Sequence, residues 1–466
     1  MVRAWSICYN LPGTQGTDWV RAVTSATPKS LPRVYAFDSA ELLQRLIRFD
    51  TTNPPGNEGE CVEFIRGLLE DAGVSSQVYV REPSRPNLVA RLTGSGKSAP
   101  LLLQGHVDVV TTTGQNWRHP PFGGELVGGE IWGRGAVDMK GPVSMYVTAF
   151  LRAARGELEL PGDVILAVLS DEENGGDFGA KFLVEEHPEL FAGVTYALGE
   201  AGAISRVIAG KRFYPIQLGE KQICWLKATV RGAGGHGAMI HRGGTMARLG
   251  RLLRDLDRNQ LPIHVTPIVR EMIETIAGNL PPPKRQLMLS LLRPAVADRV
   301  LPRLGPKMRP IEGLLRNTVN ATVVRGGEKV NVIPSQIELE LDGRILPGFS
   351  PDDLIGELHD VVGEDIELEL LRHDPGPAEP DLALFDMLAG VLRELDPSGV
   401  PMPLLQGGVT DARFFAQLGI QTYGFIPMRL PDEFPLLEIV HAADERIPLE
   451  ALDFGTEAVS RALQRF

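Results

Sequence analysis

The sequence predicts an α/β fold into which a smaller α+β domain is inserted. Three observations carry this. From Ser39 to about residue 219, helical stripes alternate with short apolar runs of strand character. Near Gly219 the texture changes to longer strands and scattered helices. After Pro375-Gly376-Pro377 the first texture returns. The chain therefore divides into an N-terminal extension (1–37), a first α/β part (38–219), an insertion (220–375) and a second α/β part (376–466).

Each element has a local cause. Residues 1–37 carry Gly, Pro, Ser and Thr without a period and lack the continuous apolar core of a signal peptide. Ser39 reads as the N-cap of a helix over 40–49, whose Leu42, Leu43, Leu46 and Ile47 form one stripe, and Asn53-Pro54-Pro55-Gly56 stops it. A second helix over 58–72 buries Val62, Ile65, Leu68 and Leu69 and ends at Gly73. Strands follow at 77–80, 87–92 and 101–110, then a helix over 142–155 and a buried strand over 164–169. In the insertion, strands are expected at 223–230, 318–324, 337–341 and 366–371. Helices are expected at 245–256 and after Pro351, with a Pro-rich helical stretch over 262–310 that enlarges the inserted domain. A helix over 382–395 opens the last part.

Composition sets the class. The chain has 466 residues, 43% of them hydrophobic, enough for two or three domains with real cores. A net charge of -12 and the lack of a basic stripe argue against nucleic-acid or acidic-membrane partners. No apolar run reaches membrane-spanning length. The three cysteines, Cys8, Cys61 and Cys224, are too few and scattered for a disulfide framework or a thiolate zinc site. They point to a reducing, cytoplasmic address.

Chemistry concentrates at strand ends. His106 and Asp108 close the apolar run Leu101 to Val110, and positions i and i+2 of a strand share a face, so the Asp108 carboxylate can hold the His106 imidazole. Asp138 lies in a loop with glycines on both sides, Gly133 to Gly141, where it can serve as a helix N-cap or as a carboxylate bridging two cations. Ser170-Asp171-Glu172-Glu173 follows a buried strand directly. Adjacent glutamates there can divide labour, one binding a metal and its neighbour acting as a general base. Glu200 ends another strand, and His441 offers a distant imidazole.

Taken in order, Gly105-His106-Val107-Asp108, the Gly133 to Gly141 loop, Asp171-Glu172-Glu173, Gly235-His236-Gly237, Asn331-Val332-Ile333-Pro334 and His441-x-x-Asp444-Glu445 resemble the M20 metallopeptidase and amidohydrolase family, from about residue 38 to the C-terminus. The resemblance implies a zinc-peptidase-like catalytic domain with an inserted, ferredoxin-like lid and dimerisation domain. It implies two zinc ions per subunit, with cobalt or manganese as substitutes. Asp138 would bridge them, His106 and Glu200 completing one site and Glu173 and His441 the other. Glu172 becomes the general base and Asp108 the partner that orients His106. The resemblance further implies a cis peptide between Asp138 and Met139, and a homodimer in which His236 reaches the partner subunit's site. Ala238 stands where many members carry serine. Arg344 and Asn317 match the pair that binds the substrate carboxylate. The implied substrate is a small molecule, an N-acyl amino acid or a dipeptide.

Two further motifs compete for attention. Thr93 to Ser98 resembles the end of a phosphate-binding loop, but Arg91 replaces the required glycine, and a hairpin turn is expected. Gly232 to Gly237 matches the spacing of a dinucleotide fingerprint, which makes a nicotinamide- or flavin-dependent oxidoreductase the rival reading. It leaves the strand-end carboxylates unexplained. A non-catalytic relative acting as a binding module would show loss of Glu172 or of a ligand, and none is lost.

Overall fold

A computed structural model describes residues 38–304, 309–376 and 380–466. The expectations for residues 1–37, and for Cys8 among them, lie outside this range. A nine-stranded sheet carries the larger part of the chain. Its spatial order is Ser76–Val80, Pro86–Leu92, Val164–Leu169, Leu101–His106, Tyr196–Gly199, Gln421–Gly424, Lys211–Glu220, Val400–Gln406, with Arg206–Ile208 paired to Lys211–Glu220. Leu101–His106 runs parallel to both of its neighbours, so three carboxyl ends open on one side of the sheet. That is where open α/β sheets bind ligands.

Alternation along these strands builds two cores. Leu101, Leu103, Val164, Leu166 and Val168 face one cluster, together with Val143, Val147 and Phe150 of the Lys140–Ala154 helix. Leu102, Ile165, Ala167 and Leu169 face the other, with Phe182 and Leu183 of the Ala180–Glu186 helix. Both strands are buried at every position, as sheets covered on both faces require.

Between Lys211–Glu220 and Val400–Gln406 the chain forms a second, four-stranded antiparallel sheet. Its strands are Gln222–Arg231, Thr318–Arg325, Gln336–Ile345 and Glu367–Asp374, with helices Thr245–Arg258 and Pro351–Val362 between them. The sequence of elements is β-α-β-β-α-β. The spatial order places the third strand beside the first, which is the ferredoxin-like arrangement. Burial alternates strictly along Gln336–Ile345, so one face packs on the two helices while the other meets solvent.

Four local expectations change. The first helix is Ser39–Ile47, and Asp38 rather than Ser39 caps it, its carboxylate accepting from the Glu41 N–H at 2.8 Å while Ser39 is buried. Asp138 is not a helix cap: Met139 precedes Lys140–Ala154, and the Asp138 side chain faces two histidines. Thr93 to Ser98 is not a hairpin turn, because Val164–Leu169 inserts between Pro86–Leu92 and Leu101–His106 and pairs with both. The Pro-rich stretch does not enlarge the core of the four-stranded sheet. Its Pro267–Gly278 helix packs on the Val400–Gln406 strand of the large sheet. Ile268, Val269, Met272, Ile273 and Ile276 join that sheet's core, since their helical stripe covers the apolar face of its last strand.

This last packing has a measurable consequence. Ile273 is fully buried, so Ile273→Ala is expected to lower the stability of the main unfolding transition by about 2 to 5 kcal/mol in urea denaturation. A loss under about 1 kcal/mol would place the helix outside the main core.

Candidate metal centre

Three adjacent parallel strands deliver the first residues. His106 is the last residue of its strand, Glu172 and Glu173 form a single 3-10 turn just past Leu169, and Glu200 follows Gly199 directly. Asp138 comes from the turn before the Lys140–Ala154 helix, and its peptide to Met139 is cis, as the resemblance implied. His441 follows the short Leu436–Ile439 helix and adopts a left-handed backbone, φ 61°.

These side chains converge into two donor triads that share Asp138: His106, Asp138 and Glu200, and Asp138, Glu173 and His441. His106 Nε2 lies 3.3 Å from Asp138 Oδ1 and 3.8 Å from Glu200 Oε2. On the other side, His441 Nε2 lies 3.0 Å from Asp138 Oδ2 and 3.3 Å from Glu173 Oε1. Each oxygen of Asp138 thus faces a different triad. Four atoms in this cluster are buried without any hydrogen-bond partner: His106 Nε2, Asp138 Oδ1, Glu173 Oε1 and Glu200 Oε2. Buried polar atoms are almost always satisfied. Orphaned nitrogen and carboxylate donors aimed at one another are the donor set that zinc and similar divalent cations take.

A second ring of contacts holds these donors. His106 Nδ1 is 3.1 Å from the Asp108 backbone oxygen and 3.4 Å from its carboxylate. A proton on Nδ1 shared with these oxygens leaves the Nε2 lone pair facing the site. The Asp108 carboxylate also accepts from the N–H groups of Glu172 (3.2 Å) and Glu173 (3.1 Å) and from Asn53 Nδ2 (2.7 Å). It therefore fixes the glutamate turn as well as the imidazole. Glu445 does the same for the bridging loop: its carboxylate accepts from the N–H groups of Gly135, Val137 and Asp138 and pairs with Arg134 at 2.6 Å.

The electrostatics follow from crowding. Burial lifts the Glu172 carboxyl well above its usual range, with Asp411, Glu173 and Asp138 adding to the rise and His106 opposing it. Burial likewise raises Glu200 and Glu173. Burial alone would depress His106, but Asp108 and Asp138 beside it hold it well above the usual imidazole range. Asp138 and Glu173 push His441 up to about 10. Two imidazoles face a larger number of carboxylates, and cations are the natural remedy.

Asp411 escaped the sequence reading. It is buried, neither carboxylate oxygen has a partner, and burial raises it to about 7. Its loop, Gly407-Gly408-Val409-Thr410-Asp411, is tied to the glutamate turn by Arg413, which donates to the Gly175 carbonyl at 2.9 Å. The only signal was a glycine pair before Thr-Asp. In the sequence Asn53 marks a helix stop, and in the fold its side chain donates to Asp108 and Asp171.

The remaining expected residues stand apart from the triads. His236 is exposed on a two-residue strand paired with Val332–Ile333, and its Nδ1 accepts from the Ala238 N–H. Arg344 donates to Asp342 from Nε at 2.7 Å and from Nη2 at 3.2 Å. Asn317 is buried, its Oδ1 accepting from the Leu346 N–H and its Nδ2 donating to Glu357, so both ends of the amide are engaged. The Gly232 to Gly237 run is no phosphate cradle: no helix starts in it, and the next begins at Thr245.

Fold and donor set together define a metal-dependent hydrolase. The family model for "Peptidase family M20/M25/M40" matches residues 102–465, and the chain belongs to that family. It is 26% identical over 447 residues to aminoacylase-1 of Sus scrofa, covering 91% of this chain and 94% of that one. It is 26% identical over 458 residues to succinyl-diaminopimelate desuccinylase of Paracoccus denitrificans, covering 92% and 98%. Among solved structures it resembles an M20 family metallo-carboxypeptidase, Sso-CP2, from Sulfolobus solfataricus, with a TM-score of 0.64 and 16% identity over 92% of this chain and 99% of that one.

Glu445→Gln tests the bracing. It leaves buried Arg134 without its charge partner, and a loss of about 3 to 5 kcal/mol in chemical denaturation is expected. An unchanged midpoint would mean that the loop is held by other contacts.

Proposed function

We propose that this chain hydrolyses the amide bond of an N-acyl amino acid or a dipeptide-like substrate with a free carboxylate, using two divalent cations, zinc with cobalt or manganese as substitutes. The observation that supports this most is the sharing of Asp138 between two donor triads whose facing atoms lack partners. Bound there, the cations supply Lewis acidity to water and to the scissile carbonyl.

The side chains do the rest. Glu172 stands outside both triads, with Oε2 4.0 Å from His106 Nε2. In our reading it takes a proton from the attacking water as the carbon–oxygen bond forms and returns it to the leaving nitrogen as the carbon–nitrogen bond breaks. Asp108 keeps His106 and the glutamate turn in place. Arg344 clamps the substrate carboxylate, exchanging Asp342 for it. Asn317 stands beside it and fixes the strand end at Leu346. His236 completes the site of a partner subunit in a homodimer built through the four-stranded sheet's domain. A cytoplasmic address accords with the free, buried thiols of Cys61 and Cys224. No helix among the described residues is long and apolar enough to cross a membrane.

Glu172→Gln is expected to keep both cations yet lose turnover by a hundredfold or more, read as amine release across a panel of N-acyl amino acids and dipeptides. Glu173→Gln should instead lose one cation by metal analysis. Near-normal turnover in a fully loaded Glu172→Gln variant would remove Glu172 from this role. For His236, mixing Glu172→Gln chains with His236→Ala chains should restore one working site per heterodimer. Proven subunit exchange without recovery would assign His236 to its own chain or to no catalytic part.

A further inference from the structure

A cavity of about 200 Å³ opens beside Asp138 and Glu200. Its wall is apolar over most of its extent, with Ile204, Leu404, Ile426, Leu436 and Val440, and carries one cation, Arg206. Arg206 begins the short Arg206–Ile208 strand, opposite Phe213. It is partly buried, and among the described residues nothing hydrogen-bonds or ion-pairs with its guanidinium. Burial lowers its pKa and no neighbouring carboxylate opposes that. The contrast with Arg212 on the adjoining strand is plain, since Arg212 donates to Asp396 and Asp432. The two carboxylates in the cavity wall, Asp138 and Glu200, face His106 instead.

A guanidinium partly withdrawn from water without a counter-charge carries part of the desolvation cost uncompensated. A ligand that brings the anion removes that cost and gains a charge-assisted, bidentate contact. Apart from Gln406, the wall around Arg206 is apolar and suits a methylene chain.

We propose that Arg206 is a substrate-binding residue that takes a carboxylate at the far end of a short aliphatic chain entering this cavity. The preferred substrate then carries two carboxylates, one for Arg344 and one for Arg206. The proposal rests on the hydrolase reading above. The second carboxylate has two sources of the same chemistry: the free end of a dicarboxylic acyl group, or the side chain of an acidic amino acid on the amine side of the scissile bond.

The test separates the pocket from the reaction. Calorimetry on zinc-supplemented protein compares glutarate with valerate, which share five carbons and one carboxylate and differ only in the second. Glutarate is expected to bind at least about tenfold tighter. Arg206→Met should erase that difference while leaving valerate binding unchanged. The same variant should unfold at the same temperature or higher, because a partly buried, unpaired cation has gone, whereas a structural arginine would lower it. Arg206→Lys should keep part of the preference. Hydrolysis of N-glutaryl-leucine against N-valeryl-leucine, and of N-acetylglutamate against N-acetylnorvaline, then shows which side of the bond carries the second carboxylate: the preferred pair loses its kcat/KM advantage in Arg206→Met. Equal binding of glutarate and valerate to the unaltered protein, or an equal loss of both in Arg206→Met, overturns the proposal. Failure of the hydrolase reading appears separately, as no Glu172-dependent amine release from any of the four amides, while glutarate binding still reports on Arg206.

Discussion

The structure depends on one electrostatic constraint: carboxylates gathered at the ends of three parallel strands outnumber the cations that face them. Asp138, Glu172, Glu173, Glu200 and Asp411 crowd around His106 and His441. Within the protein the excess is relieved only in part, by raising the carboxyl pKa values and charging the imidazoles. Four facing donor atoms still lack partners. Divalent cations held by these donors would convert each of these liabilities into a bond and would reverse the local titration by keeping the carboxylates ionised.

Such a cluster survives in the fold because its frame is rigid and independently satisfied. The strands that end in His106 and Leu169 are buried along their whole length, and the helix after Asp138 is buried through Leu151. Around the donors, Asp108 and Glu445 take up backbone N–H groups that the tight turns leave without strand or helix partners. Arg85 adds a buried pair of ion bonds, to Glu58 at 3.1 Å and to Asp171 at 2.9 Å, beneath the glutamate turn. Donor positions are therefore fixed by the protein's own contacts, as selective binding of a cation would require. The four-stranded domain has the opposite character. Its outer sheet face and the His236 turn are exposed, and among the described residues the Arg344 side chain is held only by Asp342, two residues away.

The sequence made three of the donors legible because each sits where an apolar strand run stops. His106 ends a buried strand and Glu173 and Glu200 lie just past two others, and a polar residue at such a point stands out without alignment. The insertion was legible too, through the change of texture near Gly219, whereas its ferredoxin-like arrangement was implied only by the family resemblance. Other features depend on contacts between distant segments, which spacing does not report. Asp411 lies more than two hundred residues from the glutamate turn it faces, and Asn53 reaches Asp108 from within a Pro-rich bend that looked like a helix stop. The stripe of the Pro267–Gly278 helix was visible, but not the sheet face it covers, because amphipathicity reports that a face is buried and not against what. Arg206 had no signal at all, since an arginine on a short strand reads as surface.

The most direct measurement of the central claim is the number of cations that metal-free protein takes up, by zinc titration calorimetry with parallel elemental analysis. The shared position of Asp138 predicts two zinc ions per chain, and predicts that Asp138→Ala weakens both together. One zinc ion per chain, or an Asp138→Ala variant that binds one ion with undiminished affinity, would contradict the bridged pair of sites.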